Sequence, residues 1–207
     1  NAGLRYQYHT PPSESHGRIA NFDTETGQLT PRGATIFSAP KLDFAPRLGL
    51  AYSPFRSRQT VIRAGYGIFY ANLNPSIFQD HPSNLADVTQ SRSITSLQNP
   101  NLVGFPTPDI SGVGGKLNLT ATDKGWRMAY NQQWNLNIQQ KFGESTVLQA
   151  TYLGNRTLHL LWSQELNPVI PGTGQRRYPG WGTIRYLPNC CDASYNSMQV
   201  SFKRRLS

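Results

Sequence analysis

Six stretches of the chain alternate apolar and polar residues with a period of two, the repeat expected of β-strands with one oily and one wet face. Residues 133–142 carry it most clearly. Trp134, Leu136, Ile138 and Phe142 fall on one side with Gln140 as the exception, and Gln133, Asn135, Asn137, Gln139 and Lys141 fall on the other. Wound as a helix, the same segment would mix Trp134, Asn137, Ile138 and Lys141 on one stripe, so the strand reading fits better. Leu4, Tyr6 and Tyr8 oppose Arg5, Gln7 and His9, and Leu48, Leu50 and Tyr52 oppose Arg47, Gly49, Ala51 and Ser53. Ile62, Ala64, Tyr66, Ile68 and Tyr70 form a third apolar set, although Val61 and Phe69 interrupt its polar partner. Residues 146–162 place Leu148, Ala150, Tyr152, Leu158, Leu160 and Trp162 together, with Gly154-Asn155 as a candidate bulge. Met198, Val200 and Phe202 against Ser197, Gln199, Ser201 and Lys203 complete the series.

Alternation alone also suits a soluble sandwich, so the connectors matter. They span residues 10–46, 54–59, 72–128, 143–145 and 163–193, which is long, short, long, short, long. With antiparallel neighbours, every long link emerges at one end and both short ones at the other, the arrangement of periplasmic turns and extracellular loops in outer-membrane barrels. Loops of this length without structure of their own are uncommon in compact soluble domains. Proline, which cannot donate to a ladder, is expected only in connectors or at strand starts, with Pro46 just before a strand. The expected architecture is all-β: an antiparallel up-and-down transmembrane β-barrel segment with long extracellular loops. Six strands are too few to close a bacterial barrel, and an open edge would leave backbone groups unpaired in hydrocarbon. The chain is therefore expected to start and end within a larger barrel, without its signal peptide.

Taking the short turns as the inner side, Tyr8, Tyr70, Tyr130, Trp134 and Trp162 come to the outer ends of the strands and Tyr52, Phe142 and Phe202 to the inner ends. Such a pair of belts matches the aromatic girdles of membrane barrels. The mean hydropathy of -0.51 does not oppose this, because half of each barrel strand faces water and the loops are polar. No run of apolar residues is long enough for a transmembrane helix.

Several runs resemble one family. Ala45-Pro46-Arg47-Leu48-Gly49-Leu50-Ala51-Tyr52, Thr60-Val61-Ile62-Arg63-Ala64-Gly65-Tyr66-Gly67-Ile68-Phe69-Tyr70, Gln133-Trp134-Asn135-Leu136, Tyr152-Leu153-Gly154-Asn155-Arg156 and Tyr195-Asn196-Ser197-Met198-Gln199-Val200 are similar, in wording and order, to the barrel of TonB-dependent receptors of the Oar-like, acidobacterial type. The resemblance implies a barrel of about 22 strands, the size of plugged outer-membrane transporters. It also implies an N-terminal plug, energy supplied through the TonB complex, and uptake of a large or scarce nutrient such as a siderophore, glycan or peptide. The implied partners are outer-membrane lipid, the rest of the barrel and plug, and TonB, in the outer membrane of a Gram-negative bacterium. Two alternatives stay open: a porin-like barrel without TonB, and a secreted β-sandwich adhesin or carbohydrate-binding module.

The formal charge of +9 raises the possibility of a nucleic-acid partner, but the basic residues are dispersed and accompany no recognition motif. Arg5, Arg47 and Arg63 fall on lumen-facing parity, either as solvated wall or as an electropositive lining for anionic solutes. No catalytic signature occurs, so no enzymatic role and no cofactor is expected. His9, His16, His81 and His159 are scattered and suggest no metal site. Cys190-Cys191 sits in the last long connector, where a vicinal disulfide or pairing with other partners is permitted outside the cytoplasm. Candidate ligand contacts are the loop aromatics Phe78, Phe105, Trp126, Tyr178, Trp181 and Tyr186, with self-packing of the loops as the competing reading.

Overall fold

The computed structural model describes residues 1–56, 59–87 and 116–205. Its strands are β1 (Ala2–Gln7), β2 (Phe22–Asp23), β3 (Gln28–Leu29), β4 (Asp43–Tyr52), β5 (Thr60–Tyr70), β6 (Leu119–Thr122), β7 (Tyr130–Phe142), β8 (Thr146–Leu160), β9 (Gln164–Glu165), β10 (Ile184–Leu187) and β11 (Cys191–Arg204). The six long ones form a single antiparallel meander in the order β1-β4-β5-β7-β8-β11. It is an open sheet, with β1 and β11 as its edges. Among the described residues no helix is long and apolar enough to cross a membrane.

Register carries the period-two pattern across the sheet. Leu50, Ala64, Leu136, Tyr152 and Met198 lie side by side in one row, and Tyr52, Ile62, Ile138, Ala150 and Val200 in the next. On the opposite face the row between them reads Ala51, Arg63, Asn137, Thr151 and Gln199. A slip of one residue anywhere would bring polar groups into the apolar rows, so the two faces fix the pairing. Among the described residues no second sheet covers the apolar face: Met198 is 72% exposed and Val200 61%.

The strands differ from the sequence expectation in β4, inside β8 and at the start of β11. β4 starts at Asp43, so Pro46 lies inside it. Proline survives there because β4 has parted from β5: their pairing ends at Arg47–Gly67, and residues 43–46 pair only with β1. Gly154 is in continuous register with Trp134 and Asn196 and is not a bulge. It is glycine because the indole of Trp134 lies across it, and a Cβ would run into that ring. The irregularity falls instead between Cys191 and Ala193, opposite His159, whose φ is 58°. Cys191 is thus the first residue of β11 rather than part of a connector.

The described parts of the long connectors, expected to lack structure of their own, are folded. Residues 8–42, 71–87 with 116–129, and 161–190 meet above one end of the sheet and form a cap. Its centre is a three-stranded sheet, β6-β10-β9, in which β6 and β10 run parallel. The β2–β3 hairpin packs beside β6, as does the 3-10 turn His81–Asn84, and a second 3-10 turn, Pro75–Phe78, contributes Phe78 to the cap core. Ile19, Ile36, Phe37, Phe78, Trp126 and Met128 make one buried cluster, and Phe22, Leu119, Ala121 and Ile184 a second. Nearly all of the buried apolar residues belong to this cap, Ala45 of β4 being outside it.

Candidate functional site

Three buried asparagines hold the cap together, and none of them stood out in the sequence. Asn21 donates through Nδ2 to the carbonyls of Ile36 (3.1 Å) and Thr122 (2.7 Å) and accepts from the Thr122 N–H (2.9 Å). Asn84 donates to Ala20 and Thr120 and accepts from the Thr120 N–H, each at 2.7 Å. Asn167 donates to Tyr178 (3.0 Å) and Gly182 (2.8 Å) and accepts from the Tyr178 N–H (2.8 Å). A carboxamide has two donors and an acceptor, so it mimics a piece of backbone where no neighbouring strand reaches. Such a loop asparagine has no sequence signal apart from its position between apolar residues.

His81 is fully enclosed beside them. Its Nδ1 donates to the Phe78 carbonyl and its Nε2 accepts from the Thr122 hydroxyl, both at 3.2 Å. Burial disfavours the imidazolium and lowers its pKa to about 4, so the ring is neutral at physiological pH. At the cap surface Lys124 bonds Asp23 at 2.7 Å and holds that carboxyl below its usual range.

The predicted loop aromatics divide by environment. Phe78 and Trp126 are core residues: Phe78 stacks on Phe37 at 5.5 Å and meets Trp126 edge-on at 5.7 Å, so their rings face each other and offer nothing to a ligand. Phe105 lies outside the described residues. Tyr178 and Trp181 are half-buried against Phe22, with polar tips anchored on the hairpin: the Tyr178 hydroxyl donates to the Thr24 carbonyl and Trp181 Nε1 to that of Gly27, both at 3.0 Å. Their remaining surface, with Gln28, Arg177 and Pro179, lines an open groove of about 390 Å³. Arg177 covers the Tyr178 ring at 5.3 Å. Tyr186 sits apart from this groove, its hydroxyl 3.4 Å from Asp123 Oδ2.

Below the cap, side-chain hydrogen bonds link neighbouring strands across the polar face of the sheet. Asn137 donates to Thr151 and Asn131 to Thr157, each at 2.6 Å. Arg5, Arg47 and Arg63 all stand on this face but not in one cluster. Arg63 donates to Gln139 at 3.2 Å, Arg47 lies 4.5 Å over the Phe69 ring, and Phe69 in turn covers Gly67. None of the three makes an ion pair among the described residues. The thiols of Cys190 and Cys191 are free, with Sγ atoms 3.1 Å apart.

A family model described as an outer membrane beta barrel domain matches residues 1–207. The chain belongs to this family. Two solved structures are similar to part of this barrel chain. One is the outer membrane transporter YddB from Escherichia coli, with a TM-score of 0.45 and 17% identity over 84% of this chain and 17% of that one. The other is the FrpB iron transporter from Neisseria meningitidis, with a TM-score of 0.41 and 11% identity over 86% of this chain and 19% of that one. The chain thus spans less than a fifth of either structure. No curated protein matches it.

Family membership places this barrel chain in the outer membrane and gives the exposed apolar face its solvent, the acyl chains. Short turns are periplasmic and long loops extracellular in such barrels, so the cap is extracellular. Tyr52, Phe142 and Phe202 stand exposed near the inner ends of their strands, and Tyr8 and Trp162 just past the outer ends of theirs. Tyr70 and Tyr130 pair at 5.4 Å at the outer ends of β5 and β7. Trp134 lies four residues further in, where it covers Gly154.

Proposed function

We propose that this chain is wall and extracellular rim of a TonB-dependent transporter, a barrel of about 22 strands that takes up a large or scarce nutrient of siderophore, glycan or peptide type. The role is binding and transport, with no catalytic step. One observation carries the reading: the described parts of the three long connectors are folded into a packed cap with its own core, standing at the mouth of a wall whose inner face is polar. Loops kept only to join strands need no buried core; a surface that recognises a solute needs fixed side chains. The groove beside Tyr178 and Trp181 offers aromatic faces held by hydrogen bonds at their tips, which suits the apolar faces of sugars or aromatic chelators. Arg5, Arg47 and Arg63, which make no ion pair among the described residues, favour anionic solutes on the way in.

The test is energised uptake in cells. A candidate nutrient should enter only with an intact proton gradient and TonB, and deleting residues 176–181 should abolish its high-affinity binding while the barrel still folds. Uptake that persists after the gradient is collapsed would instead identify a porin-like diffusion channel.

A further inference from the structure

The adjacent thiols of Cys190 and Cys191 serve neither the wall nor the cap, yet they stand where one becomes the other. Residues 188–190 join β10 of the cap to β11 of the wall. Both flanks of the pair are pinned. Asn189 donates through Nδ2 to the carbonyls of Arg127 and, at 3.4 Å, His159, and the Pro188 carbonyl accepts from the Trp162 N–H at 3.0 Å. Asp192 pairs with Arg156 at 2.9 Å. Across from the pair the ladder is irregular, between Cys191 and Ala193, where His159 holds a φ of 58°. The Cys190–Cys191 peptide thus lies between fixed points, beside a break in the ladder.

Geometry and surroundings favour a bond between the two sulfurs. Neighbouring side chains in a regular strand point to opposite faces, but here the Sγ atoms are 3.1 Å apart and so turn to the same side. Cys190 is exposed and Cys191 half-buried, so an oxidant meets Cys190 first. No third His, Cys, Asp or Glu joins them in a metal-holding group among the described residues. The junction lies at the outer end of β11, on the extracellular side, where no cytosolic reductant keeps thiols reduced. A disulfide gains stabilising power with the length of the loop it closes, and adjacent residues close almost none. Adjacent Cα atoms are about 3.8 Å apart, below the usual disulfide span of about 4.4–6.8 Å, and a bond made outside that span is readily reduced. A link here is therefore a reversible device rather than a staple.

We propose that Cys190 and Cys191 are a reversible oxidation site, converted to a vicinal disulfide by a disulfide-bearing oxidant. The Cys190 thiolate attacks one sulfur of the oxidant, forming a mixed disulfide and releasing the other half as a thiolate. The Cys191 thiolate then attacks Cys190 Sγ, closing the bond and expelling the second half. The protein thiols lose two electrons, the oxidant's disulfide is reduced to two thiols, and both protons end on the released thiols. The ring fixes the peptide at the junction, so oxidation stiffens the link through which the paired β6 and β10 are carried on β11. This assignment does not depend on what the barrel transports.

To test it, the full protein in outer-membrane vesicles is treated with glutathione disulfide or with dithiothreitol, alkylated, then unfolded and digested with trypsin without reductant. After glutathione disulfide the peptide Tyr186–Lys203 should be two hydrogens lighter and unalkylated, and dithiothreitol should restore alkylation of both cysteines. Cys191→Ser should instead retain one glutathione on Cys190, and Cys190→Ser should be modified about ten-fold more slowly. Hydrogen exchange at the Trp162 amide should slow about ten-fold when the native pair is oxidised and stay unchanged in Cys191→Ser. Both thiols remaining open to alkylation, or ending as two glutathione adducts or as a bond between molecules, would overturn the oxidation site. Equal exchange at Trp162 in the oxidised and reduced protein would overturn the stiffening of the junction.

Discussion

The sheet and the cap place the same kinds of side chain in opposite surroundings. In the sheet, Leu50, Leu136, Met198 and Val200 stand uncovered on one face. In the cap, Phe37, Met128, Ile184 and Leu187 are almost wholly enclosed. The cap is therefore stabilised as a water-soluble domain is, by apolar area withdrawn from solvent and by saturated polar groups such as Asn84. The sheet gains nothing comparable from its own fold. Its apolar face is matched to hydrocarbon, and its stability comes from ladder hydrogen bonds that have no competitor in the bilayer. One chain thus holds two stability regimes, joined at the outer girdle.

Substitutions should separate them. The largest effect is expected from Phe37→Ala, which empties the centre of the cap cluster at a cost of about 3–5 kcal/mol. Protease added outside intact cells should then cut the long connectors while the strands stay protected. Simultaneous loss of the strands would mean that the regimes are not separate. Next comes Leu136→Arg on the lipid face, at about 2–4 kcal/mol near mid-bilayer. Gln133→Arg, on the other face of the same strand and exposed, should stay within about 0.5 kcal/mol. Unfolding in bilayers compares the two, and equal costs would remove the assignment of faces. The third effect is graded by pH. The folded-state pKa of His81 is depressed to about 4 from 6.5, so the unfolded cap binds the proton first as pH falls. Cap stability should be level above about 6.5 and decline by up to about 1.4 kcal/mol per pH unit down to about 4. Hydrogen exchange in β6 should follow that slope, the lipid-facing strands should not, and His81→Gln should flatten it.

What was legible in the sequence follows the same division. Strands β5, β7, β8 and β11 have ten or more residues with one face wet, and the alternation of Trp134 to Phe142 specifies both strand and facing. The three-residue turn at 143–145 was equally plain, with Gly143 at φ 60° supplying the backbone reversal. The cap was hidden for physical reasons. All four residues of β6 are buried, so Leu119-Thr120-Ala121-Thr122 has no wet face to alternate with, and β2, β3 and β9 are too short to display a period. Its asparagine bonds join residues as much as 101 apart, which no local pattern records. Phe78 and Trp126 looked like ligand contacts because an aromatic in a loop reads as surface until a partner such as Phe37 is placed beside it.

The parallel pairing of β6 with β10 has a mechanical meaning. Leu119–Thr122 and Ile184–Leu187 belong to different connectors, and four consecutive residue pairs zip them together. Neither connector is free to swing aside like a separate flap. Any movement that widens the mouth must carry β6 and β10 together.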